Sequence, residues 1–264
     1  MMRREREEIG CSAEAEPQRM VRRAKTAGLF DRLRRIYAAF PETRCENCAR
    51  CCFESPGVFY IEYLHLFEVL ADLPAPRRDE LVTRAFRELF FSWIEPERTC
   101  IFLESARCPI YHQRPLACRL FGLVPAPARD SAEAEARLAA REEARRLKQL
   151  GIEVPEAVIQ RSLVSCDKVR DARGNSVTLD AEAIAARVAR LDAALLPEQV
   201  VIQEFCFQSL PERLGAAAFG EDAIAGLRVQ LLRRAQCGHS VQELLALTLS
   251  QARLPRPLPE LPPQ

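Results

Sequence analysis

Four of the chain's eleven cysteines fall within eight residues, CENCARCC, from Cys45 to Cys52. Thiols packed this densely suit three kinds of chemistry: a disulfide framework, inert buried sulfurs, or a metal site. The spacing Cys45-x2-Cys48-x2-Cys51 favours metal. Two intervening residues let a tight turn bring one sulfur after another to the same side. That is the local layout of bacterial iron–sulfur sites, whose remaining cysteine is remote and followed by proline. Cys108-Pro109 supplies a cysteine of that form. A Cys-x2-Cys pair serves tetrahedral zinc equally well. Spacing therefore points to metal without choosing the element.

Seven cysteines lie between positions 45 and 118: Cys45, Cys48, Cys51, Cys52, Cys100, Cys108 and Cys118. Adjacent side chains usually diverge, so Cys51 and Cys52 are expected to be poor partners on one ion. Either they serve different metals or Cys52 packs inward, as free cysteines often do. Seven thiols are one short of two four-coordinate sites, and Cys166 would complete eight. Cys11, Cys206 and Cys237 stand alone and are expected to be ordinary thiols. His65, His112 and His239 add little, so an all-thiolate site is the simpler expectation. Soft sulfur donors select zinc, copper(I) or iron–sulfur clusters over magnesium or calcium.

Composition bears on the disulfide alternative. No apolar run approaches the ~20 residues of a membrane helix, and MMRREREEIG lacks the apolar stretch of a secretory signal. A cytoplasmic location is expected, where stable disulfides are rare. The 38 basic and 37 acidic residues nearly cancel. That balance gives no argument for nucleic acid or an anionic membrane as partner; a protein partner is left open.

The elements that must position these thiols read as mainly helical. Apolar residues from Met20 to Phe40 recur at helical spacing and stop at Pro41. The cysteine run follows in a turn closed by Ser55-Pro56-Gly57. Helices are expected over 61–73 and 79–94, and the segment carrying Cys100, Cys108 and Cys118 is loop-rich. Residues 130–150 form an Ala/Glu/Arg helix with a narrow apolar line through Ala136, Ala140, Ala144 and Leu147. GNSVTLD, from Gly174, suits a turn or short strand. Further helices are expected over 180–195, 197–210, 221–236 and 240–252. The expected fold is a loop-rich, cysteine-organised metal-binding core joined to a helical C-terminal part. In residues, a charged N-terminus (1–24) precedes the cysteine-cluster domain (25–127), a helical region (128–254) and a proline-rich tail (255–264).

Four motifs together carry a family resemblance: CENCARCC, Cys100-Ile101-Phe102-Leu103, Cys108-Pro109-Ile110-Tyr111, and Arg114-Pro115-x2-Cys118-Arg119-x-Phe121. They resemble the CxxCxxCC cysteine-cluster family, the YkgJ-like zinc- or iron-chelating domains, over residues 45 to about 124. Pro109 departs from that pattern, where another small residue is more usual. The resemblance implies a bound iron–sulfur cluster or zinc. A similar cysteine pattern in flagellin lysine N-methylases implies methyl transfer as an alternative, although no glycine-rich loop for S-adenosylmethionine is evident.

Arg114 and Arg119 flank Cys118. A thiolate-rich centre is negative, and guanidinium groups behind the sulfurs would stabilise it. The competing expectation for them is a surface ion pair with an acid such as Glu104. The sequence thus predicts a cysteine-ligated iron–sulfur protein, of the [4Fe–4S] type, with a redox or structural role. A zinc-stabilised module and an iron–sulfur-dependent protein-modifying enzyme are the alternatives.

Overall fold

The computed structural model describes residues 16–44, 46, 48–160, 166, 168–171, 173–195 and 208–252. Helices dominate, and among the described residues the main apolar core runs from Met20 to Leu245.

The first helical stretch is two helices rather than one. Helix α1 (Glu16–Thr26) and α2 (Leu29–Ala38) are separated at Gly28, whose φ of +64° is a left-handed conformation that ends a helix at little cost to glycine. The apolar spacing shifts phase at the break, with a five-residue step from Ala24 to Leu29, and Ala24, Leu29 and Leu33 are all buried.

Helix α3 (Tyr60–Ala71) is buried along most of its length and forms the centre of the molecule. Helix α4 (Ala75–Phe91) begins four residues before the expected Asp79. Pro76 lies in its first turn, where a missing N–H leaves no bond unmade. Phe86, Phe90 and Phe91 of α4 are fully buried.

A short helix α5 (Leu116–Leu120) carries Cys118, and a long helix α6 (Ala126–Gln149) follows. Helix α6 docks by its last two turns alone. Ala144 and Leu147 are buried, whereas Ala136 is exposed and Leu138 is 56% exposed. Leu147 packs with Ile152 and Leu232 in a small separate cluster against Trp93. Helix α7 (Glu156–Ile159) is a single turn.

Helices α8 (Ala181–Ala193), α10 (Glu221–Gln236) and α11 (Val241–Gln251) fall where apolar periodicity places them. Most of the expected 197–210 helix lies outside the described residues. Helix α9 (Leu210–Phe219) was not anticipated. Ser209 caps it, accepting from the N–H of Glu212 while Glu212 accepts from the N–H of Ser209. That reciprocal pair is a capping box, and Pro211 occupies a helix-starting position.

The C-terminal helices α9, α10 and α11 pack on α4. Gly215 makes the α9 contact possible, because a Cβ there would collide with Leu89.

Two antiparallel ladders of two residues each bracket the cysteine run. Strand β1 (Thr43–Arg44) pairs with β3 (Arg170–Asp171), and β2 (Gly57–Val58) pairs with β4 (Gln208–Ser209). Both ends of the run are thereby pinned to segments from the second half of the chain. Among the described residues no helix is long and apolar enough to cross a membrane.

Candidate metal centre

The cysteine run turns on Ala49, which holds a left-handed φ of +57°. This conformation costs a non-glycine residue roughly 1–2 kcal/mol. It starts the 3-10 turn Arg50–Cys52, closed by the Cys52 N–H donating to the Ala49 carbonyl at 2.9 Å. The expected divergence of Cys51 and Cys52 does not occur. Their Sγ atoms are 3.8 Å apart, because the side chains fold toward each other across the turn. Cys48 is exposed beside them, and Cys45 lies outside the described residues.

The second segment is tied directly to the first. The N–H of Cys100 donates to the carbonyl of Cys52 at 2.8 Å. Helix α4 holds both from below. Glu88 accepts from the Ser55 N–H (3.0 Å) and hydroxyl (2.6 Å), and that hydroxyl accepts from the Ile101 N–H at 3.3 Å. Arg84 donates to the carbonyls of Cys100 and Leu103, at 2.9 and 3.1 Å. Burial pushes the Glu88 carboxyl upward.

Chain reversal at Ser105 and Ala106, both left-handed, then returns the backbone to Cys108. Glu104 and Arg107 exchange backbone hydrogen bonds of 3.0 and 2.7 Å across that reversal. A turn at Tyr111–Gln113 leads to α5 and Cys118. Glu62, fully buried, fixes the start of α5 by accepting from the Leu116 N–H at 2.6 Å. The same carboxylate accepts from the Phe59 N–H (2.9 Å) and from the Tyr37 hydroxyl. Burial is the main reason its carboxyl is pushed up to about 7, against the lowering effect of these donors. Asp192 accepts from the N–H groups of Tyr60 and Ile61 at 2.8 and 2.7 Å. These carboxylates anchor the start of α3, where backbone donors lack helical partners.

Gly122 admits the last thiol. Its φ is +82°, and a Cβ would stand 2.7 Å from Val169 Cγ2 and 3.3 Å from both Cys166 Cβ and its carbonyl. A glycine at this left-handed position lets Cys166 and Val169 lie this close behind α5.

The result is one cavity of about 550 Å³ lined by Cys48, Cys51, Cys52, Cys100, Cys108, Cys118 and Cys166. No histidine lines it. His112 is exposed on its turn, and His65 packs its ring 5.5 Å from Phe30. Cys237 is exposed at the end of α10 and does not line the cavity; Cys11 and Cys206 lie outside the described residues. Cys166, the eighth thiol by arithmetic, is thus gathered with the others.

Both arginines bind backbone and ring. Arg114 stacks 3.6 Å above the Tyr111 ring and donates to the Tyr111 carbonyl at 3.0 Å, and its positive charge works to lower the thiols of Cys51, Cys108 and Cys118. Arg119 makes two such backbone bonds. It donates to the Arg114 carbonyl at 2.7 Å and to the His112 carbonyl, with its guanidinium 4.2 Å from the Tyr37 centroid. Glu104 pairs with Arg77 rather than with either arginine.

The thiols are not electrostatically alike. A hydrogen bond from Cys52 chiefly holds Cys51 down to about 6, aided by Arg114. Cys52 is correspondingly raised. Burial pushes Cys100 up to about 12 and raises Cys108 and Cys118. One ready thiolate therefore sits among neighbours that stay protonated without a cation. A metal supplies that cation, since coordination deprotonates thiols.

The donor set fits a thiophilic metal. Among the described residues no three donors gather tightly enough to hold one ion. The sulfurs ring a space instead of converging on a point.

Neither the curated proteins nor the solved structures provide a match to this chain. A family match does exist, and it reaches beyond the last cysteine motif into most of α6. Residues 44–146, which supply most of the cavity's lining, are similar to the CxxCxxCC family, described as "Putative zinc- or iron-chelating domain".

Proposed function

We propose that the protein binds a polynuclear, all-thiolate metal centre in this cavity, and that the centre is an iron–sulfur cluster. The observation that carries this reading is the gathering of seven cysteines from separate segments around about 550 Å³. One tetrahedral ion and one iron–sulfur cluster each take four thiolates, so the number of sulfurs does not choose between them. A cluster spreads its four ligands over several metals, and that suits sulfurs arranged around a space better than one ion does. Cys51, Cys52, Cys100, Cys108 and Cys118 are the residues that would hold it, with Cys48 and Cys166 also on the lining; Cys45 belongs to the same run in sequence.

A cluster in this position supplies one-electron chemistry, a structural tie, or both. The chain's own contribution is positional. Glu88, Glu62 and Gly122 bring the cysteine segments together, and Arg114 offsets the negative charge of the sulfurs.

One distance favours a second reading. Tetrahedral zinc with bonds of about 2.3 Å sets its sulfurs about 3.8 Å apart, which matches the Cys51–Cys52 separation. Zinc held by that pair and two further cysteines would make the site a structural staple. Anaerobic purification separates the two. The cluster reading expects a brown protein absorbing near 400 nm, with iron and acid-labile sulfide in similar amounts. A colourless protein with stoichiometric zinc overturns it in favour of the staple.

A further inference from the structure

On the face formed by α2 and α8, four guanidinium groups surround one hollow. Arg32 and Arg35 project from α2, and Arg187 and Arg190 from α8. Each pair has the i, i+3 spacing that puts two side chains on the same face of a helix. Ile36 and Leu191 complete the lining of a space of about 380 Å³. All four arginines are exposed.

Among the described residues none of the four is in an ion pair. Asp31, the nearest acid on α2, is engaged by Arg34, and only its backbone carbonyl accepts from Arg35, at 3.4 Å. Asp192 on α8 is turned inward onto the start of α3. Four unneutralised like charges on two packed helices destabilise the fold by mutual repulsion. An anion with several charged oxygens reverses that effect, and guanidinium is the side chain whose forked donors match phosphoryl oxygens.

We propose that this hollow is a binding site for a compact ligand bearing two or more phosphoryl groups. Its compactness follows from the layout. The four charges converge on one hollow and do not form a track, and the chain as a whole carries a net charge of only +1. A single nucleic-acid strand is held by a continuous basic groove with aromatic platforms for its bases, and among the described residues no aromatic side chain lines this hollow. The site is independent of the cysteine cavity, because none of its lining residues is shared with it.

Calorimetric titration of the metal-loaded protein with inorganic tripolyphosphate is the test. The expected result is saturable one-to-one binding that weakens as salt rises. Arg32→Gln or Arg187→Gln should each weaken it about 10-fold, the effect of one charge-assisted contact. The variant with all four arginines changed to Gln should lose binding while keeping wild-type metal content. It should also melt no lower than the wild type, since the substitutions relieve repulsion. Equal tripolyphosphate affinity in that fourfold variant would overturn the proposal. So would single-stranded DNA binding more tightly than tripolyphosphate at equal phosphate concentration, which would mean an extended nucleic-acid surface instead.

Discussion

The N–H of Cys100 donates to the carbonyl of Cys52 at 2.8 Å, joining two cysteine segments that are remote in sequence. The bond is backbone to backbone, so it brings the segments together without help from any sulfur. The cavity is therefore outlined by protein contacts first, and a metal would complete it. Several consequences can be measured.

Ligand substitutions should separate the cysteines. Cys51→Ser, Cys100→Ser, Cys108→Ser or Cys118→Ser should each lower bound metal markedly, while Cys237→Ser should leave it unchanged. Metal content by mass spectrometry of purified variants is the readout. Loss of metal in the Cys237 variant would place the centre elsewhere.

Gly122 should prove as necessary as a ligand. Gly122→Ala puts a methyl group 2.7 Å from Val169 and strains a left-handed backbone. We expect Val169 and Cys166 to move outward and Cys166 to leave the cavity. Alkylation of the metal-free protein should then label Cys166 faster than in the wild type, where it is buried. Unchanged labelling would show that the close approach is not what places this thiol.

Which features were legible in the sequence depends on whether they are local. The metal-binding spacing of the cysteine run, the resemblance to a chelating family and helices α3, α8, α10 and α11 all rest on residues near each other in the chain. The break at Gly28 is marked only by a five-residue step from Ala24 to Leu29, a change of phase easily passed over in a longer run of apolar residues. Helix α9 was overlooked because Pro211 reads as a stop, although the Ser209-x-x-Glu212 box marks a start. Ser55 on Glu88, Leu116 on Glu62 and the bare face of Gly122 were out of reach. Each depends on distant segments meeting, and no periodicity encodes that. The same limit explains Cys51 and Cys52: neighbours in sequence diverge by default, and the left-handed Ala49 and its turn reverse that default.

Arg114 and Arg119 should fail in different ways. Arg114→Gln removes the charge facing the sulfurs and one bond to a backbone carbonyl, so metal affinity should fall by about 10-fold or more, with a smaller loss of metal-free stability than Arg119→Gln. Arg119→Gln removes two bonds to backbone carbonyls and should destabilise the metal-free fold by about 1–3 kcal/mol. Chemical denaturation and metal competition, run on both variants, test the division. Identical profiles for the two would contradict it.

Protonation of Glu62 should be visible in the pH dependence of stability. Its folded-state pKa, pushed up to about 7, lies above its unfolded value. The unfolded chain releases this proton first, so Glu62 contributes fully below about pH 4 and progressively less as pH rises through 7. Glu62→Gln should be less stable overall, having replaced one of the two oxygens that serve three donors with an NH2 group, yet should lose this part of the pH slope. Denaturation midpoints from pH 4 to 8 that change in parallel for both proteins would argue against a protonated Glu62.

Cys51 carries the opposite sign. Its pKa is depressed to about 6, so its contribution is present above the ordinary thiol value and disappears as pH falls through 6. In metal-free protein, iodoacetamide should label Cys51 at pH 7 well before Cys100, which burial pushes up to about 12. Labelling of Cys100 ahead of Cys51 would contradict the assignment of the ready thiolate.

X-ray absorption at the metal edge of anaerobically purified protein addresses the central claim most directly. The account predicts iron with a first shell of sulfur alone and a second shell of iron at cluster distance. A first shell containing nitrogen or oxygen in place of the sulfurs would contradict the all-thiolate centre. Sulfur around isolated zinc, with no metal–metal shell, would keep the thiolates but contradict the polynuclear cluster.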